Sequence, residues 1–310
     1  MQELFITMDI MLPLLLMLLL GVVLRKIGWM PEGIVPGMNQ LVFRAFLPML
    51  VFNSIRSLDV SASPGLEMTL FITLSIIGVF TVAQLLMPRF FPDPRKSSVM
   101  VQGVFRSNFA VLGFGLMSAM YGASGEAAVS LALPIVTLLN NVLAVVAFSR
   151  GEKINPLKML RQVLTNPLII AAALGVVFLL TGWQLPHVVD EVCLDVGGLA
   201  SPVSLLVLGA SLKWQGVKDN KRELAVTLVI KQLILPAVMV TLAALLGMRQ
   251  EALGVIVILF GAPGAVSSYP MAVAMGADGT LAASQLVMTT ICSMGTLFAL
   301  IYVGKVLCLL

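Results

Sequence analysis

Ten apolar runs, each long enough to cross a lipid bilayer, follow one another along this chain and leave little between them. They lie at about residues 6–24, 34–55, 67–87, 98–120, 127–148, 166–183, 192–212, 224–246, 252–275 and 280–303. A spanning helix needs about 20 mostly apolar residues, and in hydrocarbon its backbone N–H and C=O groups must be satisfied from within. Helices are therefore the regular structure such a series predicts. Composition agrees: 11% of the 310 residues are charged and the mean hydropathy is +1.04, whereas a water-soluble protein carries about a quarter charged residues. The reading is an all-α membrane protein of ten transmembrane helices, with no break between runs long enough for a soluble domain.

Lysine and arginine gather in alternate breaks. Those after runs 1, 3, 5 and 7 hold thirteen basic residues, from Arg25 and Lys26 to Lys221 and Arg222, against Arg56, Arg249 and Lys305 on the other side. Cytoplasmic loops carry the excess of basic residues, so both termini are expected on the external or periplasmic side of a multi-pass protein of the cell (inner) membrane. The net charge of +4 is then a topology signal. The lipid bilayer is the expected partner, and nucleic acid is discarded. The first run is preceded by Glu3 and contains Asp9 without a basic region, so it reads as a mature helix and not a cleaved leader. Cys193, Cys292 and Cys308 have no metal-ligand spacing, and the lone His187 reads as a solvated loop residue. No metal and no cofactor are expected.

The chain also matches itself. Residues 117–130 (MSAMYGASGEAAVS) and 271–284 (MAVAMGADGTLAAS) share Met117/Met271, Gly122/Gly276, Gly125/Gly279 and three further identities at an offset of 154. The same offset aligns Pro13 with Pro167, Gly28-Trp29 with Gly182-Trp183, and Pro48 with Pro202. Residues 1–150 and 151–310 thus read as two five-helix repeats. Five is odd, so the second repeat enters the membrane from the opposite side. Such inverted repeats build many secondary transporters, with substrate held near the midplane between them.

Runs 4 and 9 are predicted to be broken. Run 9 carries GAPGAVSSYP (261–270), where Pro263 and Pro270 leave the carbonyls of Leu259 and Val266 without helical donors. The matching stretch of run 4 is RSNFAVLGFG (106–115), in which Ser107 and Asn108 are placed to cap a half-helix and present free amides to negative charge. A simple kink is the other reading. Pro48 and Pro202 are the further expected helix breaks.

Three basic residues, Arg44, Arg106 and Lys231, fall within apolar runs that have no carboxylate near their middle. A buried cation costs at least about 2.5–3.5 kcal/mol at a helix centre, so carbonyls, water or an anionic substrate must compensate, unless the side chain snorkels to the interface. Asn140 and Asn141 point about 100° apart on one helix; either one lines a cavity beside run 4 or both hydrogen-bond between helices. Candidate substrate-binding residues are Arg106, Ser107, Asn108, Asn140, Asn141, Lys231, Pro263, Gly264 and Ser267.

The order NQLVF…LP (39–48), SNFAVLGFG followed by MYG, a Lys231…Pro236 helix, and APG…MGAD in run 9 is similar to the auxin efflux carrier family, which includes bacterial relatives of the plant PIN-FORMED carriers. The resemblance covers essentially the whole chain. It implies a five-plus-five inverted repeat in which broken helices 4 and 9 cross within a transport domain beside a scaffold. It also implies organic-anion substrates: auxins in plants, malonate or malate in some bacterial members. Carried over by position, Asn108 and Pro263-Gly264 fall at the crossing, with Asn140 or Asn141 nearby. Phe109 stands where the plant proteins place the helix-4 breaker.

The expected function is secondary transport of small mono- or dicarboxylates by alternating access. The alternative is a sodium- or proton-coupled symporter of the bile-acid-symporter-like fold with another organic substrate, so H+ or Na+ coupling stays open. An intramembrane enzyme using Ser267 or Ser268 lacks a histidine in any run, and a sensor lacks an output domain. Gly- and Ala-rich helices permit close packing, which leaves a homodimer open.

Overall fold

The computed structural model describes residues 2–57, 66–149, 164–212 and 214–310. Every regular element among them is helical. Six helices there are long and apolar enough to cross a membrane: Ile34–Arg56, Glu67–Phe90, Ala123–Phe148, His187–Ser211, Lys221–Leu245 and Gly279–Val306. Much of the basic break after run 5 lies outside the described residues, as does Lys213.

In chain order, α1 is Gln2–Lys26, and α2 (Ile34–Leu41) joins α3 (Leu47–Arg56) through one π-helical turn, Val42–Phe46. Then come α4 (Leu66–Phe90), α5 (Pro94–Phe105), α6 (Phe109–Tyr121) and α7 (Ala123–Phe148). They are followed by α8 (Pro167–Thr181), α9 (His187–Gly198), α10 (Ala200–Ser211) and a short α11 (Trp214–Asp219). A second π-turn, Ile230–Ile234, joins α12 (Lys221–Val229) to α13 (Leu235–Leu245). Last are α14 (Gln250–Gly261), α15 (Ser268–Ala274) and α16 (Gly279–Val306). Runs 4 and 9 are thus each divided in two, and α11 is a helix where the sequence reads as a charged loop.

The prolines show how the backbone accommodates a missing donor. Leu47 and Pro48 follow the first π-turn, and the amide of Leu47 bonds back five residues to Val42. The run stays one helix there, so Pro48 is not a break. Pro202 lies in the first turn of α10, where its lack of an N–H costs nothing. Pro270 likewise sits in the first turn of α15 and interrupts no existing helix. Pro236 deprives the Gln232 carbonyl of its helical donor; the Thr296 hydroxyl of α16 donates to that carbonyl at 3.1 Å. Buried carbonyls in an apolar bundle need such substitutes.

Small residues set the closest approaches. α1 crosses α10 so tightly that a Cβ on Gly21 would meet the Leu206 carbonyl, and one on Gly209 would meet that of Leu18. α3 lies against α8 and α9, α4 against α5 and α7, and α14 against α6 and α13. Lys96 at the start of α5 pairs with Glu223 of α12 at 2.9 Å. Arg95 beside it donates to the Gly276 carbonyl at 3.2 Å, joining α5 to the turn before α16. The Glu223 hydrogen bond holds Lys96 above the ordinary lysine pKa.

Gly209→Val should lower stability by about 1–3 kcal/mol through overpacking, seen as a lower unfolding temperature in detergent. Gly37→Ala is the control: nothing lies within 4 Å of an added Cβ there, so its unfolding temperature should hold or rise.

Candidate functional site

The two interrupted regions meet. α5 ends at Phe105, Arg106 turns extended (φ −81, ψ 138), and Asn108 (φ −84, ψ 46) opens α6. α14 ends at Gly261, Ala262 turns extended (φ −64, ψ 152), and the chain runs to Ser267 before α15 begins. The Asn108 amide donates to the Pro263 carbonyl at 2.9 Å, so each break supplies what the other lacks. Gly264 donates to Thr289 Oγ1 of α16 at 3.3 Å. The expected side-chain cap at Asn108 is not made. Its ψ of 46 is far from the extended backbone that aims an N-cap oxygen at the first-turn amides.

Arg106 is only 4% exposed. Its Nη2 donates to Asn141 Oδ1 at 3.0 Å and to Ser267 Oγ at 2.7 Å, and Nη1 reaches Met271 Sδ at 2.8 Å. Asn141 is itself oriented by donating to the Thr137 carbonyl at 2.9 Å. All the guanidinium's acceptors are neutral, and a guanidinium keeps its charge. Beside it lies a cavity of about 150 Å³ between α3, α6, α7 and α10. One wall is polar: Arg106, Ser107, Asn108, Asn140, Asn141 and Ser267. Apolar side chains complete the lining, with Leu47, Leu50 and Val51 of α3, Val136 of α7 and Leu168 of α8. No aspartate or glutamate lines it.

Five buried polar atoms of residues around this cavity have no protein partner: Arg106 Nε, Ser107 Oγ, Asn108 Nδ2, Asn140 Oδ1 and Ser204 Oγ. Buried polar groups are nearly always hydrogen-bonded, so their concentration at one cavity marks a place for a polar ligand. Donors predominate.

Six sequence-predicted residues therefore share the polar wall. Pro263 and Gly264 do not face the cavity; they shape the crossing through their backbone. Lys231 is wholly buried on the second π-turn, its Nζ without a partner, and does not line the cavity either. Arg44 is exposed on the first π-turn. Ser201 and Ser204 of α10 also line the cavity. Sequence reasoning registered only the proline between them, although their i,i+3 spacing puts both on one helical face.

Residues 6–301 match the membrane transport protein family. The chain belongs to this family, that of the auxin efflux carriers, and is a multi-pass membrane transporter by class. Two archaeal relatives align over nearly their full lengths. One, an uncharacterized transporter of Methanothermobacter thermautotrophicus, is 25% identical over 299 residues, covering 93% of this chain and 95% of its own. The other, an uncharacterized transporter of Methanocaldococcus jannaschii, is 23% identical over 298 residues, covering 92% and 94%. Membership of a transporter family is consistent with a chain that is not an enzyme.

Asn141→Leu and Ser267→Ala each remove an acceptor from a buried guanidinium and should cost about 1–3 kcal/mol, read as a lower unfolding temperature. Asn140→Leu should cost less, because the Asn140 amide oxygen accepts no bond.

Proposed function

We propose that this chain is a secondary transporter that carries small organic anions across the cell membrane by alternating access, with Arg106 as counter-ion to the substrate carboxylate. The observation that carries this reading is the buried Arg106 guanidinium, which faces a cavity yet bonds only neutral groups. Charge in such a place costs several kcal/mol. A carboxylate entering the cavity offsets that cost through charge-assisted hydrogen bonds to the guanidinium. Asn108 Nδ2, Ser107 Oγ and the first-turn amides of α6 add donors around the anion.

Lys231 stands outside the cavity, so the substrate meets one cation. That supports a monocarboxylate whose apolar remainder rests on Leu47, Leu50 and Val51, ahead of a dicarboxylate such as malonate or malate.

The ten-helix arrangement of two inverted repeats, 1–150 and 151–310, belongs to the same proposal. It is supported by breaks at Asn108 and Ala262, which the offset of 154 aligns. In alternating access, the α3 and α10 wall moves relative to the wall built by α6, α7 and α15. At one end α15 is tied across that gap: Tyr269 Oη lies 2.5 Å from Ser211 Oγ of α10, and Asn39 Nδ2 of α2 donates to the Pro270 carbonyl at 3.3 Å. These bonds would break when that end opens.

Purified protein in liposomes should take up a small monocarboxylate. Arg106→Gln and Asn108→Ala should each reduce uptake about thirtyfold or more, the effect of truncating one side of a buried charged hydrogen bond. Flux equal to the parent in both variants would overturn the assignment. Repeating the assay with and without sodium, at two pH values, reports the coupling ion.

The proposed orientation places both termini outside. Cys308 is exposed, whereas Cys193 is buried and Cys292 half-buried. An impermeant maleimide should therefore label Cys308 on intact cells, and labelling only after lysis would reverse the topology.

A further inference from the structure

A second cavity lies away from the crossing. α4, Ile230 of the second π-turn and α13 line an open apolar cavity of about 260 Å³, and another of about 250 Å³ lies beside Phe91 and Arg222. Leu86, Met87 and Ile230 line both, so the two form one groove, and neither shares a residue with the Arg106 cavity. Along α4 the groove follows Leu74, Gly78, Val82, Leu86 and Phe90, a strict i,i+4 stripe. Sixteen residues of helix rise about 24 Å, more than one leaflet's share of a hydrocarbon core about 30 Å thick.

Glycine keeps the slot open midway: a Cβ on Gly78 would meet nothing within 4 Å. One end is charged. The Arg222 guanidinium sits 5.2 Å from the centroid of the Phe91 ring, which fixes it at the groove mouth. The neighbouring carboxylate, Glu223, is engaged by Lys96 at 2.9 Å and feels the Arg222 charge only at longer range, and among the described residues no carboxylate forms an ion pair with Arg222.

From this geometry we infer that the groove is a binding site for an anionic phospholipid. One acyl chain lies along the α4 stripe, and the headgroup phosphate sits against Arg222. The occupant must be narrow, apolar for most of its length and anionic at one end. An α-helix of a partner protein, about 10 Å across with its side chains, does not enter a slot of this volume. A basic pocket between spanning helices at the membrane surface is the usual form of an anionic-lipid site.

The test uses the full chain in mild detergent, with dioleoylphosphatidylglycerol or dioleoylphosphatidylcholine added at equal concentration. Bound lipid is read by native mass spectrometry. The parent should retain the anionic lipid about fivefold over the zwitterionic one, the contribution of one basic residue at a membrane surface. Arg222→Gln should abolish that preference while still binding lipid. Gly78→Leu and Gly78→Phe, whose Cβ has room and whose larger side chains project into the slot, should reduce retention of both lipids.

Inorganic phosphate alone should not raise the unfolding temperature, whereas phosphatidylglycerol should. Equal retention of the two lipids by the parent, an unchanged preference in Arg222→Gln, or full retention in both Gly78 variants overturns the site. Stabilisation by free phosphate to the same extent would overturn the lipid in favour of a soluble anion.

Discussion

At the centre of the molecule two helices stop short, and the amide of Asn108 reaches 2.9 Å to the carbonyl of Pro263. In a bilayer an interrupted helix exposes several backbone groups, each costing several kcal/mol if left bare. A single break in an otherwise regular bundle would have to be met by side chains or water. Two breaks laid across one another meet part of that demand themselves, and Thr289 meets more by accepting from Gly264. The rest of the bundle is arranged to hold this crossing. α14 packs on α6, α16 runs behind the Ala262–Ser267 stretch, and Arg95 ties the start of α5 to the turn after α15.

What the crossing does not satisfy is left facing the cavity. Arg106 is the first residue of the first break, where its guanidinium is brought level with Ser267 at the end of the second. Its protein ligands are a hydroxyl, an amide oxygen and a thioether, a weak set for a full positive charge in an apolar bundle. The interaction is poised. It is good enough to hold the side chain in one geometry, and too weak to compete with a carboxylate that would form charge-assisted bonds in a drier setting.

How much of this was legible in the chain depended on whether the physics left a mark on residue type. The apolar runs were legible because lipid demands length and composition. The Ala262–Ser267 interruption was legible because prolines and glycines cluster around it. The interruption at Arg106–Asn108 was fainter, since no proline stands there and only the offset of 154 pointed to it. Ser201 and Ser204 escaped because hydroxyls are unremarkable in spanning helices. The two π-turns escaped because an i→i+5 bond has no residue code; Pro48, read as a break, lies just past the first of them, where the helix widens and continues. The cap expected from Asn108 was chemically sensible and failed on backbone geometry, which sequence does not report.

Lys231 shows the limit most plainly, because sequence treats it and Arg106 alike: a cation inside an apolar run without a carboxylate. Structure separates them by what surrounds the charge. Arg106 sits in a break, beside a cavity. Lys231 sits on a π-turn enclosed by α5, α14 and α16, wholly buried, with Gln232 next to it donating to the Thr289 carbonyl at 3.4 Å. That same Thr289 receives the Gly264 amide on its hydroxyl. The lysine is therefore one residue away from a hydrogen-bonded path that ends at the crossing backbone, and neither it nor Thr289 lines the cavity. Position separates the two cations: one lines the cavity, and the other is enclosed among the helices behind the crossing.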